Sequence, residues 1–451
     1  MVAFSVLYYT TQFIRIERSK MAIQCIHHQW MKELIQMQWA IFGDREVEIT
    51  SELEGDFVKT TIHFEGAVYS DVMPFTEKDD IKRSLYRAAF NIRPWDTPWG
   101  ILTGINPAKL AFVNFDKASF MKKYFVNERQ ALLCQEVAAF TKTVKVTKED
   151  ISLYIHIPFC RTKCAYCSFV TNAIDRTNRH QTKYIDCLID EIKATAPTIA
   201  HRKLRSIYIG GGTPTVLDEG NLSRLLSAID THFLKEHLLE FTVEAGRVDT
   251  ITEEKLRLLR QANVNRISIN PQVFDNEILA KIGRTHTVED VIRTYHKARE
   301  IGFQTINMDI IYGLGGDFQK TVDTLLALDP ENITLHTLAI KRGSNLSKDY
   351  TTNLGDINYF YQNITHRPYY LYRQQYMIKP YENVGFCKEG SACLYNVYMM
   401  ENLMDILALG SGSTTKMCSE RHFNNKYPLD YINNINEILQ KKQRFLEQFM
   451  K

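Results

Sequence analysis

The sequence predicts an α/β chain with a TIM-like partial (β/α)6 barrel over residues 149–345. An α+β accessory domain over 1–148 precedes it, and a mainly helical cover over 346–451 follows. Three observations predict this. From Ser152 on, strand-like runs alternate with amphipathic helical stretches, the signature of parallel βαβ units. Unusual polar residues and glycines gather at the carboxyl ends of those runs, where barrel chemistry collects. The alternation is absent on either side.

In the accessory domain the strand-like pieces are Glu46 to Thr50 and Val58 to Phe64. The helical pieces are Lys82 to Ala89, Ala118 to Tyr124 and Glu128 to Lys142, with a Trp/Pro/Gly-rich stretch from Pro94 to Pro107 between them. Six barrel strands follow: Leu153 to Ile157, Ser206 to Ile209, Leu239 to Glu244, Arg266 to Asn270, Thr305 to Ile311 and Asn332 to Thr337. Helical patterns such as Tyr184 to Ala194 and Glu253 to Gln261 separate them. The β-branched, near-continuously apolar runs suit strands covered on both faces. Pattern alone also admits a doubly wound open sheet. After Asn345 the chain passes through a Tyr-rich segment, Tyr359 to Tyr381, a Gly-rich one, Leu409 to Lys416, and a charged helical tail after Asp430 that is expected to cover the open side of the barrel.

With 451 residues, 45% apolar, 24% charged and a formal charge of +3, the chain can bury a large core and divide into domains. Its charges are interspersed, without the basic stripe that tracks a phosphate backbone, so nucleic acid is not an expected partner. No stretch reaches bilayer-spanning length, and Met1 to Ile14 lacks the features of a signal peptide, so a cytoplasmic location is expected. Of nine cysteines, Cys25, Cys134, Cys187, Cys387, Cys393 and Cys418 are scattered and form no disulfide framework.

The other three, Cys160, Cys164 and Cys167, form CxxxCxxC directly after the first barrel strand and Pro158. Three crowded thiolates suit an iron–sulfur cluster, and a 4Fe-4S cube held by three of them leaves one iron open to an exogenous ligand. The bland alternatives are a structural zinc site, which ordinarily adds a second, distant Cys or His pair, or three unrelated core cysteines. Four further features share the predicted rim: Gly210 to Pro214 (GGGTP) after the second strand, Glu244 ending the third, Gln272 after the fourth and Asp309 late in the fifth. Singly, a glycine triplet is most often a tight turn, and a buried acid at a strand end is often structural.

CxxxCxxC after a first strand, GGGTP after a second, and acidic or amide residues ending later strands resemble the radical S-adenosylmethionine (SAM) superfamily, whose fold is a partial (β/α)6 TIM-like barrel. Within it, Tyr154 to Cys160, Gly210 to Leu217 and Asn307 to Leu314 resemble the oxygen-independent coproporphyrinogen III oxidase family. The runs Pro98 to Ile105, Val243 to Arg247, Ser268 to Gln272 and Tyr369 to Gln374 are similar to its HemZ-type coproporphyrinogen dehydrogenase branch. The resemblance implies that Cys160, Cys164 and Cys167 each bind one iron, and that SAM chelates the fourth and is cleaved by one electron. It implies SAM-binding roles for Tyr154, Glu244, Gln272, Arg284 and Asp309, with Tyr154 also counted beside the cysteines in the catalytic set. Gly211, Gly212 and Thr213 would let the backbone approach the methionine end of SAM, and Arg284 would meet its carboxylate as a charged fork. Without the resemblance, Arg284 reads as a solvated helix-end cation.

The activity implied is oxidative decarboxylation of coproporphyrinogen III to protoporphyrinogen IX in haem biosynthesis. It calls for a tetrapyrrole substrate and a low-potential electron donor of flavodoxin or ferredoxin type. Lys341, Arg342, Arg367 and Arg373, near Tyr369, Tyr370 and Tyr372, suit propionates and a flat macrocycle, or else form an ordinary basic surface over core tyrosines. Phe159, Tyr166 and Phe169 read as core packing or as a shield for the cluster, and His156 as a structural histidine, a proton donor or a porphyrin contact. Phe169 stands where the oxidases carry a further cysteine. Two other readings therefore stay open: a haem-binding chaperone without turnover, and a radical SAM methyltransferase that opens haem.

Overall fold

The structure is a computed structural model that describes residues 12–16, 21–26, 28–43, 45–95, 97–112, 115–169, 172–173, 179–341, 343–346, 350, 352–374 and 376–449. Arg342 and residues 1–11, most of the stretch read for a signal peptide, lie outside them. The chain forms two compact units, Met1–Gln135 and Glu136–Lys451.

The first unit is a five-stranded sheet in the order β1 (Gln12–Ile16), β2 (Met21–Ile26), β3 (Val47–Glu54), β4 (Phe57–Phe64), β5 (Ala67–Pro74). Helix α1 (Met31–Phe42) makes the crossover that lets β2 and β3 run parallel, and the other neighbours are antiparallel. Strict alternation along β3 and β4 puts Val47, Ile49, Val58 and Ile62 into a core closed by Leu34, Met37 and Ile41 of α1 and by Ile81 and Leu85 of α2 (Asp79–Phe90). Helices α3 (Lys117–Tyr124) and α4 (Glu128–Thr143) follow, and the division between the units falls inside α4.

The second unit opens with β6 (Asp150–Ile157) and the short pair β7 (Phe159–Cys160) and β8 (Asn172–Ala173). It continues through α5 (Arg179–Thr195), β9 (Lys203–Gly211), α6 (Glu219–His232), β10 (Glu240–Glu244), α7 (Glu253–Gln261), β11 (Arg266–Ser268), α8 (Asn276–Lys281), α9 (Val288–Ile301), β12 (Thr305–Tyr312), α10 (Phe318–Leu328) and β13 (Asn332–Thr337). The parallel strands lie side by side in chain order, β6-β9-β10-β11-β12-β13. A doubly wound sheet would reverse its order partway; this one keeps a single progression, as the expected six-stranded partial barrel does.

The strands are less uniformly apolar than their sequences promise. Leu153, Ile155, Ile207, Ile209, Val243, Ile267, Ile306, Met308, Ile333 and Leu335 are fully buried and alternate with polar or aromatic residues on the other face. That inner face carries Tyr154, Tyr208, Glu244, Asp309 and His336 above a polar ladder. Ser206 donates to the Ser152 hydroxyl at 2.8 Å, and Thr334 donates to Asn307 Oδ1 at 3.1 Å. Hydrogen bonding between neighbours allows polar side chains to line a buried interior.

Beyond β13 the chain adds strands as well as helices. After α11 (Ile357–Asn363), β14 (Arg367–Tyr372) and β15 (Asn383–Cys387) extend the sheet past β13. After α12 (Leu394–Glu401), β16 (Asp405–Leu409) lies parallel to β6 on the opposite flank and carries β17 (Thr414–Met417) and β18 (Glu420–Phe423). Helices α13 (Pro428–Asn433) and α14 (Ile435–Glu447) then pack on α5.

Candidate active site at the carboxyl rim of the barrel

The loop between β6 and α5 carries the three thiols at the carboxyl end of the sheet, and neighbouring loops tie it down. Ala165 N–H donates to Ile282 O at 3.0 Å, Thr162 Oγ1 to Gly283 O at 2.8 Å, and Asn345 N–H to Ala165 O at 2.7 Å. None of Cys160, Cys164 and Cys167 is in a disulfide. Cys160 Sγ lies 3.5 Å from Thr213 Oγ1, and Arg247 Nη1 lies 3.5 Å from Cys164 Sγ. Among the described residues no three His, Cys, Asp or Glu side chains converge as ligands of a single ion would.

The glycine triplet makes room for that loop. A Cβ on Gly211 would sit 2.1 Å from the His156 ring, and one on Gly212 would sit 2.4 Å from Phe159 O. Their small size lets β9 close onto β6 and lets Gly212 and Thr213 N–H donate to Ile157 O and Phe159 O, both at 2.7 Å. The resemblance links these glycines to the approach of SAM, and in this structure the close neighbours are the protein's own first strand. His156, wedged against Gly211, is pulled down to about 4 by burial. It is therefore neutral near neutral pH and carries no proton to donate from an imidazolium.

Glu244 ends β10 on the inner face, where Tyr208 donates to its Oε1 at 2.5 Å and Gly211 N–H to its Oε2 at 3.2 Å. Burial pushes its carboxyl up to about 7, with the nearby Asp309 charge adding to the effect and the Tyr208 hydrogen bond opposing it. Asp309 goes the other way. Burial alone would raise it, but His336, Asn307 and Thr334 outweigh burial and hold the carboxyl below its usual range. Asn270 and Asn307 donate to its two oxygens at 2.8 and 2.7 Å, and His336 Nε2 lies 3.7 Å away.

Gln272 has left-handed backbone (φ +65°), and its N–H donates to Asp309 O at 2.9 Å while its own carbonyl accepts from Ile311. Its side chain is buried with Oε1 lacking any partner. Arg284 is no solvated cation. It is 6% exposed, donating from Nη1 to Gly246 O at 3.1 Å and Asn270 O at 2.6 Å and from Nη2 to the Tyr166 hydroxyl at 3.3 Å, with Nε unpartnered. Buried polar atoms without a protein partner, such as Gln272 Oε1 and Arg284 Nε on this rim, suit a polar ligand.

Tyr154 stacks on Tyr395 at 5.8 Å and lies 6.2 Å from the Tyr208 ring, giving the inner face an aromatic wall. Phe159 packs edge-on against Tyr184 in the core, and Phe169 is 69% exposed. Of the basic residues, Lys341 follows β13 and Arg373 follows β14 at the thiol-bearing rim. Arg367 starts β14 opposite Cys387, which on its other side pairs with Asn332 at the start of β13, so Arg367 sits at the opposite end of the sheet. Sequence reasoning overlooked Arg247 as a site residue, together with its partner Asp249 and the Asp309 neighbours Asn270 and His336. The VEAGR run held the only signal for Arg247, and nothing in the order of residues says that its side chain turns toward a thiol.

A family model described as the radical SAM superfamily matches residues 154–328. The chain is 33% identical over 449 residues to the oxygen-independent coproporphyrinogen-III oxidase-like protein HemZ of Bacillus subtilis (strain 168), covering 90% of this chain and 88% of that one. Over 196 residues it is 39% identical to the heme chaperone HemW of the same organism, covering 42% and 51% of the two chains. The solved structure of coproporphyrinogen III oxidase (HemN) from Escherichia coli, a radical SAM enzyme, superposes with a TM-score of 0.50. It is 23% identical, over 68% of this chain and 72% of that one, a likeness of fold.

Proposed function

This chain belongs to the radical SAM superfamily and, within it, to the family of oxygen-independent coproporphyrinogen-III oxidase-like proteins, and on that footing we propose that it decarboxylates coproporphyrinogen III oxidatively to protoporphyrinogen IX. The family implies a 4Fe-4S cluster and SAM. We assign the cluster to Cys160, Cys164 and Cys167, because the three share one tethered loop, none is in a disulfide, and Thr213 and Arg247 lie beside two of the sulfurs. When bound, the pair supplies one-electron cleavage of a carbon–sulfur bond and, through it, removal of hydrogen from an unactivated carbon.

The protein's part is holding and exclusion. Arg284, with Nε unpartnered, suits a carboxylate, and Gln272, with Oε1 unpartnered, suits an ammonium or hydroxyl donor. Glu244 and Asp309 are acceptors for ribose hydroxyls, Asp309 already ionised and Glu244 poised near neutrality. Tyr154, Tyr208 and Tyr395 keep the inner face dry. Lys341 and Arg373, on the rim that carries the thiols, are the cations suited to propionates, and a low-potential flavodoxin or ferredoxin supplies the electron.

The observation that carries this reading is that the three cysteines and the unpartnered Arg284 and Gln272 atoms share the carboxyl rim of one sheet. A second reading, a haem chaperone, is favoured by Phe169 in place of a cysteine and by the HemW similarity over 196 residues. Anaerobic, reconstituted protein given SAM, dithionite and coproporphyrinogen III should yield protoporphyrinogen IX and 5′-deoxyadenosine, and Cys164→Ala should lose both the iron and all SAM cleavage. Tight haem binding without turnover would favour the chaperone; linear methylated product from haem would favour a methyltransferase. Full iron retention in Cys164→Ala would sink the cluster assignment.

A further inference from the structure

Arg247 follows β10 and is 3% exposed, so its guanidinium is committed to fixed partners. Nε and Nη2 take both oxygens of Asp249, at 3.1 and 2.9 Å. The remaining nitrogen, Nη1, points into the cysteine loop, reaching Thr162 O at 3.1 Å, Thr162 Oγ1 at 2.9 Å and Cys164 Sγ at 3.5 Å. Asp249 is itself pinned. Thr285 donates to its Oδ2 at 2.6 Å, His286 Nδ1 lies 3.8 Å from Oδ1, and Arg161 lies 3.9 Å from Oδ2 while donating to the Asp249 backbone carbonyl at 2.8 Å. The fork therefore cannot swing away from the sulfur. Only an arginine can grip a carboxylate with two nitrogens and spare a third for the thiol, since a lysine offers one compact charge.

We propose that Arg247 tunes the electron affinity of the cluster assigned above to the three cysteines, acting as a positioning residue through Cys164. The inference rests on that cluster assignment. An N–H directed at a cluster thiolate draws density from the sulfur and favours the reduced cube, one of the levers by which proteins set iron–sulfur potentials. Asp249 offsets much of the cation's charge, so what Arg247 adds is directional, and burial leaves that contribution weakly screened by salt. The step it biases is the uptake of one electron from the low-potential donor; Arg247 itself neither gains nor loses a proton.

The test uses the full chain, reconstituted anaerobically as wild type, Arg247→Lys, Arg247→Gln and the double variant Arg247→Met with Asp249→Asn, which removes both charges together. Iron and sulfide content is measured first, then the midpoint potential by titration with dithionite followed by electron paramagnetic resonance. Iron content should hold. Electron affinity should fall about tenfold in Arg247→Gln and in the double variant, ~59 mV for a one-electron couple, with Arg247→Lys between them and the wild type. Fully loaded variants at the wild-type potential overturn the proposal. So does failure of both Arg247→Gln and the double variant to load iron, which would make Arg247 a folding element of the loop. Wild-type protein that binds no iron sinks the cluster assignment instead, a result distinct from either.

Discussion

Glu244 and Asp309 share the inner face of one sheet yet have opposite proton affinities, because their neighbours differ. Asp309 is surrounded by Asn270, Asn307 and His336, all able to donate, whereas Glu244 has one hydroxyl and one backbone N–H to set against burial. Below about 4.5 both folded and unfolded chains keep the Glu244 proton; between there and about 7 only the folded chain does. Stability should therefore fall as pH rises through that window. Glu244→Gln, which cannot ionise, should show a shallower decline, and urea midpoints of both proteins at about pH 5, 6, 7 and 8 would reveal it. Equal slopes would mean that Glu244 titrates normally. The residue types at this rim were legible in the sequence, since Cys160, Gly211, Glu244 and Gln272 each end or follow a recognisable strand and Asp309 lies late in one. Their proton affinities were not, because those depend on which side chains other strands bring alongside.

Among the elements, α14 is held by a buried charge as well as by its apolar stripe. Lys442 and Glu191 of α5 are both fully buried and pair at 2.7 Å. Tyr431 and Asn424 also donate to Glu191, as does Gly410 N–H at the end of β16, while Lys442 donates to Ala408 O as well. Removing one partner leaves an uncompensated charge, so Lys442→Met should cost about 3–5 kcal/mol. Adding Glu191→Gln to Lys442→Met should cost far less than the two single changes summed. Thermal or urea unfolding of the three variants checks both statements, and additive costs would show that the pair is not coupled. The sequence showed a charged helical tail. It could not show that one of its lysines is interior, because the acid that pairs with it lies in the first helix of the barrel.

At the scale of the whole molecule, each unit carries its own core. The first is centred on Ile49, Ile62 and Leu85; the second has clusters around Tyr208, Tyr369 and Ala408 and around Val273, Leu279 and Leu338. Residues 127–451 expressed alone should therefore remain soluble and load iron. A chain ending at Leu403 should aggregate, because it strips β16 from β6 and bares the ladder of Ile151 to Ile155. Sedimentation of the two truncations, with iron analysis of the first, decides the matter, and a soluble Leu403 truncation would show that β16 is dispensable. The sequence by itself determined the α/β alternation, the six barrel strands and the thiol spacing, because periodicity and short motifs are written within a few consecutive residues. Only the tertiary structure decided that β16 returns to flank β6, that Arg284 is interior, that Arg367 sits at the far end of the sheet and that Arg247 faces Cys164. Each of those depends on contacts between segments far apart in the chain, and such contacts are fixed by the packing of the whole sheet.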